Sequence, residues 1–103
     1  DDIYRSFLNV VEKNFGKHRD VAFYADTLCL SPKHLSQVVK VVSGKTAADI
    51  IEDYVITEVK ALLLNTTMTI QQISDTLNFP SQSVFGKYFK RIMGMSPNEY
   101  RNK

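Results

Sequence analysis

The chain has 103 residues, a length that fits one domain over residues 1–103 with a single buried core. Its 44% hydrophobic and 23% charged residues exclude a disordered chain, and a net charge of +2 is too small to identify a polyanionic partner without knowing where the charge sits. Cys29 is the only cysteine, which excludes an internal disulfide and fits a reducing, cytoplasmic compartment. Even the run of aliphatic residues Ala61 to Leu64 is far short of a membrane span. The chain starts on Asp1 without methionine, so we expect a fragment whose upstream sensor or dimerisation domain is missing.

Taken in order, nearly every segment has helical periodicity, and the expected fold is all-α with seven helices. Tyr4, Phe7, Leu8, Val11 and Phe15 form one apolar stripe, with Gly16 as its stop. Asp20 caps a short helix carrying Val21, Tyr24, Ala25 and Leu28. Ser31 and Pro32 start a third helix, expected to bury Leu35, Val38, Val39 and Val42 and to end at Gly44. Thr46 caps a long helix running to about Asn65, at about 1.5 Å per residue some 27–30 Å long. Thr69 and Gln72 form a capping box before Ile70, Ile73 and Leu77. Pro80 and Ser81 open a sixth helix burying Phe85, Tyr88, Phe89 and Ile92 and stopping at Gly94; Ser96, Pro97 and Glu99 begin a short seventh.

An internal repeat organises these elements. Asp26-Thr27-Leu28 recurs 49 residues later as Asp75-Thr76-Leu77. Past the turn the offset is 50, pairing Ser31 with Ser81, Leu35 with Phe85, Lys40 with Lys90 and Gly44 with Gly94. The additional residue falls near Pro80, in the turn, where an insertion is least disruptive. The division expected is a first helix-turn-helix subdomain at 1–45, a linker helix at 46–65 and a second subdomain at 66–103.

The outer faces of the second helices carry the chemistry. Lys33, Ser36, Gln37 and Lys40 lie at i, i+3, i+4 and i+7; Ser83, Gly86, Lys87 and Lys90 repeat that spacing, with Gln82 beside them. Neither stripe contains a carboxylate, although Asp and Glu number 11 in the chain and gather at Asp49, Glu52, Asp53 and Glu58. A helix fits the major groove, where Gln pairs donor and acceptor with adenine and Lys donates to guanine O6 and N7. Ser and Gly permit close approach. Lys40, Lys90 and Arg91, farther along, suit phosphate neutralisation.

The stretch LNFPSQSVFGKYFKRIMGMSPNEYR, Leu77 to Arg101, resembles the signature of the AraC/XylS family of bacterial transcription regulators, and LCLSPKHLSQVVKVVSGKT resembles that family's looser first motif. The resemblance implies two helix-turn-helix subdomains on a linker helix, reading double-stranded DNA in successive major-groove segments about 34 Å apart. It places base contacts at Lys33, Ser36 and Gln37 and at Gln82, Ser83, Gly86 and Lys87, with Ser31, Lys40 and Lys90 toward the backbone. It further implies transcriptional activation, with RNA polymerase as a partner. The chain departs from the pattern at Asn78, where a turn glycine is usual, at Ser74 in place of alanine, and at Val55 in place of arginine.

A helical protein-interaction domain is the alternative, and it would need apolar outward faces on those second helices. An enzyme, metal site or cofactor finds no support: His18, His34 and Cys29 lack ligand spacing, and there is no phosphate cradle or nucleophile elbow. Cys29 is expected to be a small buried residue of the first turn, and the aromatic residues to be core.

Overall fold

The computed structural model describes all 103 residues, and its seven helices begin where side-chain oxygens meet otherwise unpaired backbone N–H groups. They are α1 (Asp2–Asn14), α2 (Val21–Thr27), α3 (Pro32–Ser43), α4 (Ala47–Asn65), α5 (Ile70–Thr76), α6 (Gln82–Met93) and α7 (Pro97–Arg101), with no strand. Asp1, Asp20, Ser31, Thr69, Ser81 and Ser96 are the N-caps, and Thr46 Oγ1 accepts the Asp49 N–H at the start of α4. The expected capping box forms reciprocally, Gln72 reaching back to Thr69, and Glu99 and Ser96 form a second in the same way. No helix is long and apolar enough to cross a membrane.

The chain forms two compact units, Asp1–Val55 and Ile56–Lys103, so α4 contributes its first half to one and its second half to the other. In unit 1, α1 packs on α2 and α3. Phe7, Val11, Leu35 and Val39 are fully buried there, with Ile51 and Val55 from α4. Tyr24 stands edge-on to Phe7 at 5.8 Å and donates its hydroxyl to the His18 carbonyl at 2.6 Å. Burial pushes that phenol up to about 12, the Asp20 charge adding to the rise and Arg19 opposing it. Val55 is thus a core residue, with no room for a charged group.

Unit 2 is built on rings. Phe79 meets Phe85 at 5.1 Å, Phe85 meets Phe89 at 6.4 Å, and Phe89 meets Tyr100 at 5.7 Å. Ile56, Val59, Leu63, Ile73 and Leu77 are buried around them. Arg101 closes the unit across a long sequence separation: its Nε donates to the Leu63 carbonyl at 3.0 Å and its Nη2 approaches the Leu62 and Thr66 carbonyls. A cation thereby satisfies acceptors at the negative end of α4.

Each helix pair turns through one left-handed residue. The N–H of Cys29 donates to the Asp26 carbonyl and that of Leu30 to the Ala25 carbonyl; in the second copy Asn78 donates to Asp75, and Phe79 to Ser74. This is the Schellman closure, in which the residue at C′ takes positive φ. Cys29 and Asn78 both have φ of 59°. Asn78 therefore sits in the backbone state expected of it. Cys29 does not match its expectation: it is exposed, because the left-handed residue projects away and the following residue, Leu30 or Phe79, turns back toward the core. Val42 is likewise 44% exposed rather than buried, at the last turn of α3 just before the Gly44 stop. Val38, Tyr88 and Ile92 are half-buried.

Candidate nucleic-acid interface

Helices α3 and α6 have the same length and the same ends. Ser31 Oγ accepts the His34 N–H and Ser81 Oγ the Val84 N–H, both at 3.1 Å. At the far end Gly44 and Gly94 adopt φ of 77° and 78° and donate to the Lys40 and Lys90 carbonyls. Such caps fix where each helix starts and stops, and so the register of every outward side chain. Leu35 and Val39 bury one face of α3, and Phe85 and Phe89 the same face of α6.

The opposite faces are open. Lys33, Gln37 and Lys40 of α3 are exposed, and so are Gln82, Ser83, Lys87, Lys90 and Arg91 of α6; Ser36 and Gly86 occupy equivalent half-buried edges. Neither helix contains a single Asp or Glu. The stripe on α3 also lines an open groove of about 600 Å³ in unit 1, formed by Lys33, Ser36, Gln37, Lys40, Val41 and Thr46. Within each unit the sequence-derived residues therefore come together on one solvent-facing surface.

Several of them have a structural task as well. Ser31 uses its hydroxyl oxygen as a cap acceptor, which leaves its O–H proton available to an external acceptor. Lys40 Nζ donates to the Gly44 carbonyl at 3.0 Å, and two further N–H donors remain on the ammonium. Arg91 lies over the Tyr88 ring, 5.4 Å from its centroid. Lys90 contributes to the field that holds the Glu99 carboxyl below its ordinary value, after the larger effects of the Ser96 N–H and hydroxyl.

Gly86 is informative because the fold gives no reason for it. A Cβ built there meets nothing within 4 Å, and the backbone is ordinary right-handed helix. Glycine inside a helix costs about 0.5–1 kcal/mol relative to alanine.

Sequence reasoning assigned no role to two exposed valines on these helices, Val41 at 84% and Val84 at 45% exposure. For Val84 the signal was present: it precedes Lys87 by three positions and so flanks the same stripe. Arg101 was noted only as part of a motif; its bonds to α4 join residues too far apart in sequence for periodicity to pair them.

Comparison with known proteins places this architecture. Residues 24–103 match the family described as "Helix-turn-helix domain". The arabinose operon regulatory protein of Salmonella typhimurium is 36% identical over 84 residues, 82% of this chain but only 30% of that protein. The C-terminal domain of AraT, a response regulator from Geobacillus stearothermophilus, superposes with a TM-score of 0.91 at 28% identity, covering 99% of this chain and 85% of that one. The DNA-binding domain of AdpA, solved in complex with a target DNA, has the same fold at 16% identity, with a TM-score of 0.82 over 96% of this chain and 89% of its own. Two capped helix pairs on a shared helix, a family match over most of the residues and these relatives agree: the chain belongs to the AraC/XylS family of helix-turn-helix domains.

Proposed function

We propose that this chain is the sequence-reading part of a longer transcription regulator, with α3 and α6 each entering a major groove of double-stranded DNA. Gly86 carries the reading. A helix that gives up stability for a missing side chain, on a carboxylate-free face and with no internal neighbour to accommodate, is shaped for close approach by a rigid external surface. The floor of a major groove is such a surface.

In this scheme Lys87 donates to guanine O6 and N7, and Gln82 and Gln37 pair with adenine edges; Ser83, Ser36 and Lys33 complete base contacts in their own grooves. Ser31, Lys40, Lys90 and Arg91 neutralise or hydrogen-bond phosphates, Lys40 without leaving its helix cap. The sequence-derived division into subdomains at 1–45 and 66–103, joined by a linker helix at 46–65, supports one reader per subdomain. The chain spans 30% of the length of the arabinose regulator it matches, so sensing or dimerisation, transcriptional activation and contact with RNA polymerase are assigned to the whole regulator, acting in the cytoplasm.

The test is selection of binding sites from random duplexes, followed by affinity measurements at several salt concentrations. Lys87→Ala should cost about 1–3 kcal/mol on the selected site and relax preference at one base pair. Lys90→Ala should weaken all sequences alike and lower the salt slope by about one. Absence of any sequence preference, or affinity indifferent to salt, would instead favour a protein-binding role.

A further inference from the structure

We infer that Val84 reads the 5-methyl group of a thymine in the half-site bound by α6, an inference that rests on the DNA-binding reading above. Three observations lead to it. Val84 is the third residue of α6, and its N–H is held by the cap hydroxyl of Ser81 at 3.1 Å, so its backbone is among the most firmly placed on the outer face. Its side chain is 45% exposed, on the flank shared with Lys87 and Arg91 at i+3 and i+7. Valine in a helix is restricted to essentially one χ1 rotamer, so its two methyl groups are pre-set and lose little entropy on contact.

The fold and local propensity do not call for valine here. It ranks below alanine, lysine, glutamine and glutamate as a helix former, and a half-exposed β-branched residue in a first turn adds little to the core. In the major groove the only apolar feature that a base edge offers is the thymine methyl. A rigid apolar group near the N-terminus of the recognition helix, where residues reach base edges, is complementary to that feature and to nothing else on the groove floor.

Unit 1 provides the internal control. The equivalent third position of α3 is His34, whose N–H is bound to Ser31 Oγ in the same way but whose exposed side chain is polar. Methyl reading at this helical position therefore belongs to α6 alone. Together Val84 and Lys87 would specify a thymine close to a guanine.

The experiment uses the selected duplex with each thymine replaced in turn by deoxyuridine, which removes the methyl and leaves every hydrogen-bonding group. Wild-type protein should lose about three- to fivefold in affinity at one thymine of the α6 half-site, the worth of burying one methyl group. Val84→Ala should abolish that single penalty and leave the effects of uridine in the other half-site unchanged. Val84→Thr, which keeps one γ-methyl, should retain part of it; both variants are checked for an unchanged thermal midpoint. If the uridine penalty persists in Val84→Ala, or no thymine is sensitive, the assignment to Val84 is overturned while sequence-specific binding stands. If wild-type protein selects no sequence at all, the DNA reading falls and the methyl contact with it.

Discussion

Unit 1 and unit 2 close the turn between their helix pairs with the same two hydrogen bonds but with different residues in the left-handed position, Cys29 in one and Asn78 in the other. Asparagine adopts positive φ more readily than most residues, whereas cysteine bears the Cβ clash without that tolerance. Just before that turn, Ala25 and Ser74 are equivalent and both fully buried, yet Ser74 brings a hydroxyl that finds no partner. The cores differ as well: Leu35 and Val39 fill unit 1 where Phe85 and Phe89 fill unit 2. The hydrogen-bonded frame is thus what the two copies share, and the packing inside it is where each was free to change.

The widest separation is expected in the cores. Phe85→Ala should destabilise by about 3–5 kcal/mol and Leu35→Ala by about 2–3, measured by urea unfolding. A larger loss at Leu35 would mean that unit 1, not the ring cluster, dominates stability. The Ala25–Ser74 pair comes next. Ala25→Ser should cost about 1–3 kcal/mol by burying an unsatisfied hydroxyl, and Ser74→Ala should recover about 1. Equal stability in both exchanges would show that Ser74 finds a partner in solution.

At the turns, Cys29→Gly should stabilise by about 1 kcal/mol, since it removes a left-handed Cβ clash at some cost in unfolded-chain entropy; Asn78→Gly should gain less than half as much. Thermal midpoints of the two variants decide the order. On the outer faces, Gly86→Ala should raise stability by about 0.5–1 kcal/mol while lowering DNA affinity, and Ser36→Ala should change stability little. A Gly86→Ala protein that is more stable and binds equally well would remove the close-approach argument.

The smallest effect is a pH dependence confined to unit 2. The Glu99 carboxyl lies below its ordinary 4.5 because it accepts the Ser96 N–H, so the α7 capping box contributes fully above that value and is lost as pH falls through the lowered one. The α5 box, built with Gln72, has no group to titrate. Glu99→Gln should therefore flatten the acid limb of stability, while an unchanged limb would place the titrating group elsewhere.

Much of this molecule is legible from local rules. Caps, stops and the second-helix stripes follow from residues within four positions of each other, and a repeat offset by 49 and then 50 residues locates the inserted Pro80 without coordinates. The misjudgements have a common origin. Cys29 was expected inside because cysteine is usually buried, but the αL conformation turns it out. Val42 continues an apolar period into the last turn of α3, just before the Gly44 stop, where it is exposed. Val84 received no role from the sequence, and its exposure in the folded chain sets it on the outer flank.

The sequence by itself determined the seven helices, their ends and the acid-free stripes, because backbone capping and helical period are local properties. Only the tertiary structure decided which apolar side chains are covered, that Arg101 ties α7 to the end of α4, that Ser74 is buried without a partner, and that Gly86 faces empty space. Those outcomes depend on which surfaces meet across long stretches of chain, and no periodicity within a single helix encodes its neighbour.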